Sequence, residues 1–296
     1  MALTALSLTP AAQHWLTVTT SARVLNSFDR ACNLVNQNND VLTLVTSERG
    51  LTPFAVVVAA TQRDPFQTVV VESEVRVAAE RIQIGGLEIE FKTVTMWNPS
   101  PDWPMLQRMF AHNPDRAGEL AALVLEIATP ASLLDLYRIG QLDRTELDRI
   151  FLARALIGAR EVVGGLKRGD DDLAGQGAKQ LAGLGKGLTP AGDDFLVGIA
   201  LAVWAGLYGQ GQAERLTHLI EMACPLTTLL SAAYLRSAVK GECIAPWHTL
   251  FAALLLSDAE VTRMAAKSLM LVGHSSGADG LAGFLAGHFI LNEAHD

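Results

Sequence analysis

GLGKGLTPAGDDFLVGIALAVW, residues 183–204, runs a glycine-rich loop straight into an apolar segment, and the rest of the chain is read outward from it. Gly183, Gly185 and Gly187 alternate, which frees the main chain to take positive φ and lets a ligand approach it closely. Thr189 is a favourable N-cap and Pro190 suits the first helical position, where its missing N–H costs nothing. A helix is therefore predicted to start here. Nearly every side of 195–207 is apolar, so the helix is expected to be buried all round, with its N-terminus opening toward whatever the loop encloses. Such an end combines unpaired N–H groups with about half a positive charge, a ready anion site. Asp193 and Asp194 suit that dipole but would repel a bound anion. Two resolutions are open: a divalent cation such as Mg2+ held by Asp193 and Asp194, or a ligand carrying both an anionic group and an amide NH2 that the carboxylates accept. The plainer alternative is a glycine turn, a cap and two dipole-matched acids on a core helix. A Walker phosphate loop is excluded, because Gly187 follows Lys186 where Ser or Thr is needed.

The chain has 296 residues, enough for two domains with a core each. Half of them are hydrophobic and only 18% are charged, which points to surface covered by partners. A net charge of −8 argues against nucleic acid and anionic membrane as partners. Cys32, Cys224 and Cys243 are far apart with no CxxC pair, so neither a disulfide framework nor a zinc knuckle is indicated. MALTALSLTPAAQHW at the start lacks a basic n-region and meets Pro10 early, so it does not read as a signal peptide. The longest uncharged apolar run, 195–209, falls short of the ~20 residues a spanning helix needs. A cytoplasmic protein is expected. There is no GxSxG elbow, no HExxH, no GxGxxG after a strand and no histidine cluster, so lipid, haem and nucleotide binding gain no support.

N-terminal to the loop, the pattern from 41 to 95 is strand-like: VLTLV, FAVVVAA, TVVVESEVRVAA, RIQIG and LEIEFKTVTMW, with Gly85-Gly86 among the breaks. GLEIEFKTV alternates as a half-buried antiparallel strand does. NPSPDWP, residues 98–104, has three prolines in seven residues and is expected to stop regular structure, which sets a domain boundary there. Beyond it AGELAALVLEIA, TELDRIFLARALIGAREVVGGL and DDLAGQGAKQLAGL carry helical spacing with acids near their starts. Further helices are expected at about 214–222, 225–240, 246–256, 258–271 and 276–291. The fold class is α+β: a mostly-β N-terminal domain over 1–100, barrel or sandwich-like, then a mostly α-helical domain over 101–296.

Two stretches in the helical part echo the opening one. The pattern G-x-[ST]-x-x-x-D recurs, with Gly187, Thr189 and Asp193 against Gly273, Ser275 and Asp279, each followed by an apolar, glycine-containing helix. Two such helix starts could converge on one ligand, although Ser276-x-x-Asp279 is also an ordinary capping box. His274, just before the cap, is a candidate general acid or base, or else a backbone-bonded histidine. In PLTTLLSAAYLRSAVKGE, 225–242, Thr227, Thr228 and Ser231 put hydroxyls on one face near a helix start, and Arg236 could clamp a carboxylate by a bidentate pair. Hydroxyls there also commonly bond the preceding carbonyls.

Through GLGKGLTPAGDD, TTLLSAAYLRSAVKGE and LVGHSSGADGLAGFLAG the chain resembles a bacterial domain family of unknown function. That family carries a carboxylase label and includes a subunit of oxamate carbamoyltransferase from anaerobic allantoin degradation. The likeness covers the C-terminal half closely and VLTLV and LTPFAVVV loosely. It implies a subunit of a hetero-oligomeric enzyme, beside a CoA-ligase-like large subunit and a second partner subunit. The implied reaction is carbamoyl transfer between oxamate and carbamoyl phosphate, giving oxalurate and phosphate or the reverse, in purine nitrogen catabolism. Both substrates pair an anion with an amide NH2. Lys186 stands where family loops often carry Pro, so it is not carried over from the family, and Gly192 stands where the oxamate-related subunit has His, so the resemblance does not fix the substrate.

The expected site therefore has His274, Asp193 and Asp194 in catalysis, with Asp193 and Asp194 also the candidate metal ligands. Gly185, Gly187, Thr189, Gly192, Thr228, Ser231, Arg236, Ser275, Ser276, Gly277 and Asp279 are expected to bind substrate. The rival readings are a non-catalytic subunit that packs on a partner enzyme, and a stand-alone metal-dependent carboxylase or amidohydrolase.

Overall fold

The computed structural model describes residues 2–59, 64–78, 80–129, 131–138, 145–209 and 212–292. The chain divides into two compact units, Met1–Pro99 with Cys243–Ala245, and Ser100–Glu242 with Pro246–Asp296. In the first, β1 (Ala2–Leu8) leads into α1 (Pro10–Val18). There follow β2 (Ala22–Phe28), β3 (Ala31–Asn36), β4 (Val41–Thr46), β5 (Ala55–Ala59), β6 (Glu74–Ala78), β7 (Arg81–Ile84), β8 (Leu87–Glu90) and β9 (Thr95–Met96). The strands bond in the order β5-β4-β3-β2-β6-β7-β8-β1, and β1 pairs back onto β5, so eight of them close into a barrel. Strand β9 lies parallel to the end of β1, Ser7 opposite Thr95 and Leu8 opposite Met96. Closure needs bending, supplied by register shifts in β1 between Ala5 and Ser7 and in β2 between Val24 and Asn26. Alternate side chains such as Leu34, Leu42, Leu44, Val56, Ile82 and Ile89 fill the interior. Helix α1 adds Ala12 and Trp15 to that core, and the Trp15 indole donates to Asp40 O at 2.8 Å.

The α+β expectation holds, and barrel rather than sandwich is the form it takes. Strands β1 to β3 and helix α1 lie outside the 41–95 stretch in which strand patterns are legible. Strand β3 buries Asn33 and Asn36, which breaks the apolar alternation. Asn33 is satisfied across strands, its Nδ2 donating to Asn26 Oδ1 and its Oδ1 accepting from Thr43 Oγ1, each at 2.6 Å, and Asn36 by Thr19 and the turn that follows it. TVVV, expected as strand, is instead a turn region in which Val69 N bonds Phe66 O and Ser73 N bonds Val70 O, leaving Val70 and Val71 exposed. Ala60 and Ala79, at the ends of two expected strands, lie outside the described residues.

The second unit is helical: α2 (Trp103–His112), α3 (Arg116–Ile127), a 3-10 turn (Leu133–Arg138), α4 (Glu146–Arg168), α5 (Asp171–Leu181) and α6 (Ala191–Trp204). Then come α7 (Ala213–Ala223), α8 (Leu229–Val239), α9 (Ala245–Leu256), α10 (Ala259–Met270) and α11 (Ser276–Asn292). The proline-rich stretch expected to end regular structure opens α2: Asp102 caps it, accepting from Met105 N at 3.0 Å, and Pro104 sits in the first turn, where no N–H is needed. Helix α6 is buried on nearly every side, from Phe195 through Val203, as its composition demands. It packs backbone to backbone on α11. A Cβ on Gly198 would collide with Gly280 O, and one on Gly283 with Phe195 O. Glycine in these two helices is thus a packing requirement. No helix among the described residues is long and apolar enough to cross a membrane.

Candidate functional site

Gly183, Gly185 and Gly187 take φ of +68°, +122° and +100°, so the loop before α6 uses the conformations that only glycine adopts without strain. Gly185 and Gly187 are exposed, and nothing lies within 4 Å of where a Gly187 Cβ would stand. The helix starts one residue later than its sequence suggests. Pro190 is extended (ψ 145°) and occupies the cap position without a side-chain bond, so Thr189 is not the N-cap. Its hydroxyl instead meets the Ser276 hydroxyl at the start of α11, 3.0 Å away. Part of the first turn is already engaged: Gly192 N donates to Leu184 O at 2.8 Å, and Asp193 N and Asp194 N to Pro190 O.

The two motif-bearing helix starts lie side by side, with a shifted register. Gly277 N donates to Val272 O at 3.2 Å as Gly192 N does to Leu184 O. A Cβ on Gly277 would strike Leu269 O near the end of α10, as one on Gly192 would strike Leu181 O at the end of α5. Gly192 thus corresponds to Gly277, Asp194 to Asp279, Phe195 to Gly280 and Gly198 to Gly283, all at one constant offset. The reciprocal contacts of Gly198 with Gly280 O and Gly283 with Phe195 O make this a local pseudo-twofold pair. Asp279 therefore matches Asp194, not Asp193. Letters alone favoured the wrong partner because GHSSG and GLTPAG align on glycine and hydroxyl, one residue out of step with the helices. GHSSG also fits G-x-S-x-G, but a nucleophile elbow follows a strand and here helix α10 precedes it.

Asp193 is buried and has a structural task. Its Oδ1 accepts from Gly183 N at 3.0 Å and its Oδ2 from the Thr227 hydroxyl. Thr228 caps α8, accepting from Ser231 N at 3.1 Å, and donates its own proton to Leu188 O at 2.6 Å. The glycine loop is thereby tied to both α6 and α8. Ser231 is buried beside Asp193 without reaching hydrogen-bonding geometry. Arg236 is exposed further along α8 and, among the described residues, makes no ion pair. His274 is exposed in the turn before α11, and Ser275 is half-buried there.

The remaining acids are unusual. Asp279 is wholly buried; its Oδ1 accepts from Leu133 N at 2.6 Å, while its Oδ2 has no donor in bonding geometry. Asp194 is half-buried as a residue, yet its Oδ2 is shut off from solvent and also without a partner. Burial pushes the Asp279 carboxyl up to about 6, with a further push from Asp135 and opposing pulls from Leu133 N–H, Ser275 and His274. Burial also raises Asp194 well above the usual carboxylate range; the neighbouring charges of Asp279 and Asp193 add to this, while the Ser276 and Thr189 hydroxyls oppose it. Asp193 is raised by burial and pulled back by Thr227, Gly183 N–H and Ser231. Among the described residues no three His, Cys, Asp or Glu side chains gather as a metal set.

Residues 181–288, from the end of α5 into α11, match a family described as oxamate carbamoyltransferase subunit AllH, and residues 4–96, the barrel, match the AllH family N-terminal domain. The chain belongs to the AllH family. No solved structure matches it. The first match begins where the glycine loop begins, so the tied helix starts fall wholly inside the part for which the family is named. Sequence reasoning missed the strap that covers this part: Ala131 takes φ +80° and donates to Asp135 Oδ2 at 3.0 Å, which carries Leu133 N onto Asp279. The one available signal was an acid inside the apolar run LLDL.

Proposed function

We propose that the starts of α6, α8 and α11 form the small-molecule site of a carbamoyltransferase subunit that binds carbamoyl phosphate and an oxamate-like acceptor. The observation that carries this reading is the Thr189–Ser276 hydroxyl contact, which joins two helix N-termini beside Asp194 and Asp279, each with a buried, unpartnered carboxyl oxygen. Raised carboxyls also ease the conflict between anion and acids. Burial lifts both Asp194 and Asp279 above an ordinary carboxylate, and the Asp279 charge lifts Asp194 further, so the pair takes up a proton more readily than exposed acids and repels an anion less. Gly185, Gly187, Gly277 and the hydroxyls of Thr189, Thr228, Ser231, Ser275 and Ser276 line the approach, and Arg236 takes the acceptor's carboxylate at the rim. In the reaction the oxamate amide nitrogen attacks the carbamoyl carbon, the bond from that carbon to the phosphate oxygen breaks, and His274 takes the proton the nitrogen sheds. Oxalurate and phosphate are the products, and the stabilisation comes from preorganised donors. Mg2+, if used, falls to Asp194 and Asp279, since both oxygens of Asp193 are engaged. The chain works in the cytoplasm, in purine nitrogen catabolism, beside a CoA-ligase-like large subunit and a second partner subunit.

The test is oxalurate formation from carbamoyl phosphate and oxamate by the assembled subunits. Asp194→Asn is expected to lower turnover by about 100-fold or more with the complex intact; unchanged turnover refutes the reading. The engaged oxygens of Asp193 favour a structural role for that residue. Asp193→Asn is accordingly expected to cost about 1–3 kcal/mol of stability, read by denaturant unfolding, before it affects turnover.

A further inference from the structure

TVVVESE, residues 68–74, has the composition of a strand, yet β6 begins only at Glu74 and the valines before it stand outside the sheet. Val70 is 67% exposed and Val71 48%. Glu72 takes φ +68°, a left-handed conformation uncommon outside glycine. Strand β2 and the turn after it fasten this loop at both ends. Phe66 N donates to Asp29 O at 3.3 Å and the Ser27 hydroxyl to Phe66 O at 3.0 Å. At the far end Glu72 N donates to Val24 O at 2.9 Å, and Arg23 pairs with the Glu72 carboxylate at 2.5 Å. A segment clamped against its own local preference is where a functional site is to be sought.

A cavity of about 340 Å³ lies between this loop and the Gly85-Gly86 turn that joins β7 to β8. That volume falls within the ~300–1,000 Å³ range of small-molecule pockets. Pro65, Val69, Val70, Ile84 and Leu87 give it apolar walls. Val70 borders the space and still faces water, so the chain leaves unfilled an opening that its own side chain adjoins. The turn does not fill it either, since a Cβ on Gly86 would meet nothing within 4 Å.

The polar lining sets the chemistry of an occupant. Gln67, Thr68 and Ser73 bring an amide and two hydroxyls, and among the described residues none of these side chains is in a hydrogen bond. Each of those groups both donates and accepts. Asp64 is the single ionisable residue of the lining, and it faces Arg30 Nε at 3.8 Å. An anion would lose hydration here and meet no cation among the lining residues, while a cation would compete with Arg30 for Asp64. An uncharged molecule with an apolar body and both N–H and C=O groups satisfies every wall.

We propose that this cleft in the barrel unit binds a small uncharged amide-bearing molecule, held by Gln67, Thr68 and Ser73 against the wall of Ile84 and Leu87. It shares no residue with the site proposed above and does not rest on that reading.

The experiment titrates the purified full-length chain by calorimetry with uracil, an uncharged ring carrying N–H and C=O groups, and with orotate, the same ring bearing a carboxylate. Uracil is expected to bind saturably, and orotate about tenfold more weakly or worse. Ser73→Leu removes a hydroxyl and adds apolar bulk at the wall. Gly86→Phe builds a ring where the turn is open, at a φ outside the left-handed range. Each is expected to weaken uracil binding about tenfold or more. Gln67→Ala is expected to weaken it about fivefold, and Val71→Ser, outside the lining, to leave it unchanged. As a second measurement on the unaltered chain, hydrogen exchange at 66–73 and 84–87 slows with uracil and not with orotate. No saturable uracil binding, equal binding of orotate, or unchanged affinity in both wall variants overturns the proposal. So does self-association of the unliganded chain that Gly86→Phe abolishes, which assigns the cleft to a second copy.

Discussion

Helix α6 is approached through the glycine loop 183–189, whereas α11 is approached through the tighter turn 271–275, and the residues after the matching glycines differ. Asp193 comes after Gly192, but Ala278 comes after Gly277. The longer loop cannot hold itself, so Asp193 braces it through Gly183 N and Thr227. The shorter turn is held by main-chain bonds, Val272 N to Leu269 O at 3.0 Å and Gly277 N to Val272 O at 3.2 Å. Subtracting the brace leaves the features that the two halves share: the buried carboxyls of Asp194 and Asp279, each with an oxygen that no structural bond uses. Two adjacent acids in the sequence thus divide into a strut and one member of a pair, a distinction that spacing alone does not make.

The comparison breaks first at its axis. Gly198→Ala and Gly283→Ala each drive a methyl into a backbone carbonyl of the partner helix, so both are expected to destabilise by about 3 kcal/mol or more, and by similar amounts if the relation is twofold. Denaturant unfolding checks this; a large effect at one site only dissolves the symmetry. Next comes the charge of the pair. The folded-state value of Asp279 lies above its unfolded 3.8, at about 6, so the folded chain holds the extra proton. Its contribution is full below pH 3.8 and is lost as pH rises through 6. Asp279→Asn keeps an acceptor for Leu133 N–H and removes the titration. It is expected to reduce the slope of stability between those pH values and to raise stability near neutrality by up to ~3 kcal/mol, seen as a melting temperature that falls less with pH than that of the unaltered chain. The smallest effect is at the rim of α8, which has no α11 counterpart. Arg236→Ala is expected to change stability by less than about 0.5 kcal/mol while raising KM for the acceptor severalfold, read from initial rates.

Much of this was legible in the residues. The thirteen-residue apolar run from Phe195, the glycine triplet and the recurrence near Gly273 located the helix pair, because buried helices and tight turns restrict residue choice severely. Thr228 as the cap of α8 was not legible: the helical pattern runs from 225, whereas α8 starts at Leu229 after a 3-10 turn. Nor was the shift by which Asp279 answers Asp194, since it depends on which backbone carbonyls the glycines meet, a tertiary fact with no local mark. Nor was the strap at Ala131–Leu133, which delivers one N–H to a buried oxygen. In the barrel, VLTLV and RIQIG declared themselves by period, whereas ACNLVN hid its strand behind Asn33, which neighbouring strands satisfy, and Asn36, which Thr19 and the turn at Asn38 and Asp40 satisfy.

Pairing of β1 with β5 has one more effect. Among the described residues, a sheet that ends where it begins leaves no full strand edge onto which a foreign strand could be added, apart from whatever the two-residue β9 leaves at the seam. The N-terminal domain is thereby protected from edge-to-edge aggregation and denied recruitment by strand exchange. Any association it takes part in must be made by side chains and hairpin tips, in a register that a point substitution can tune without disturbing the sheet.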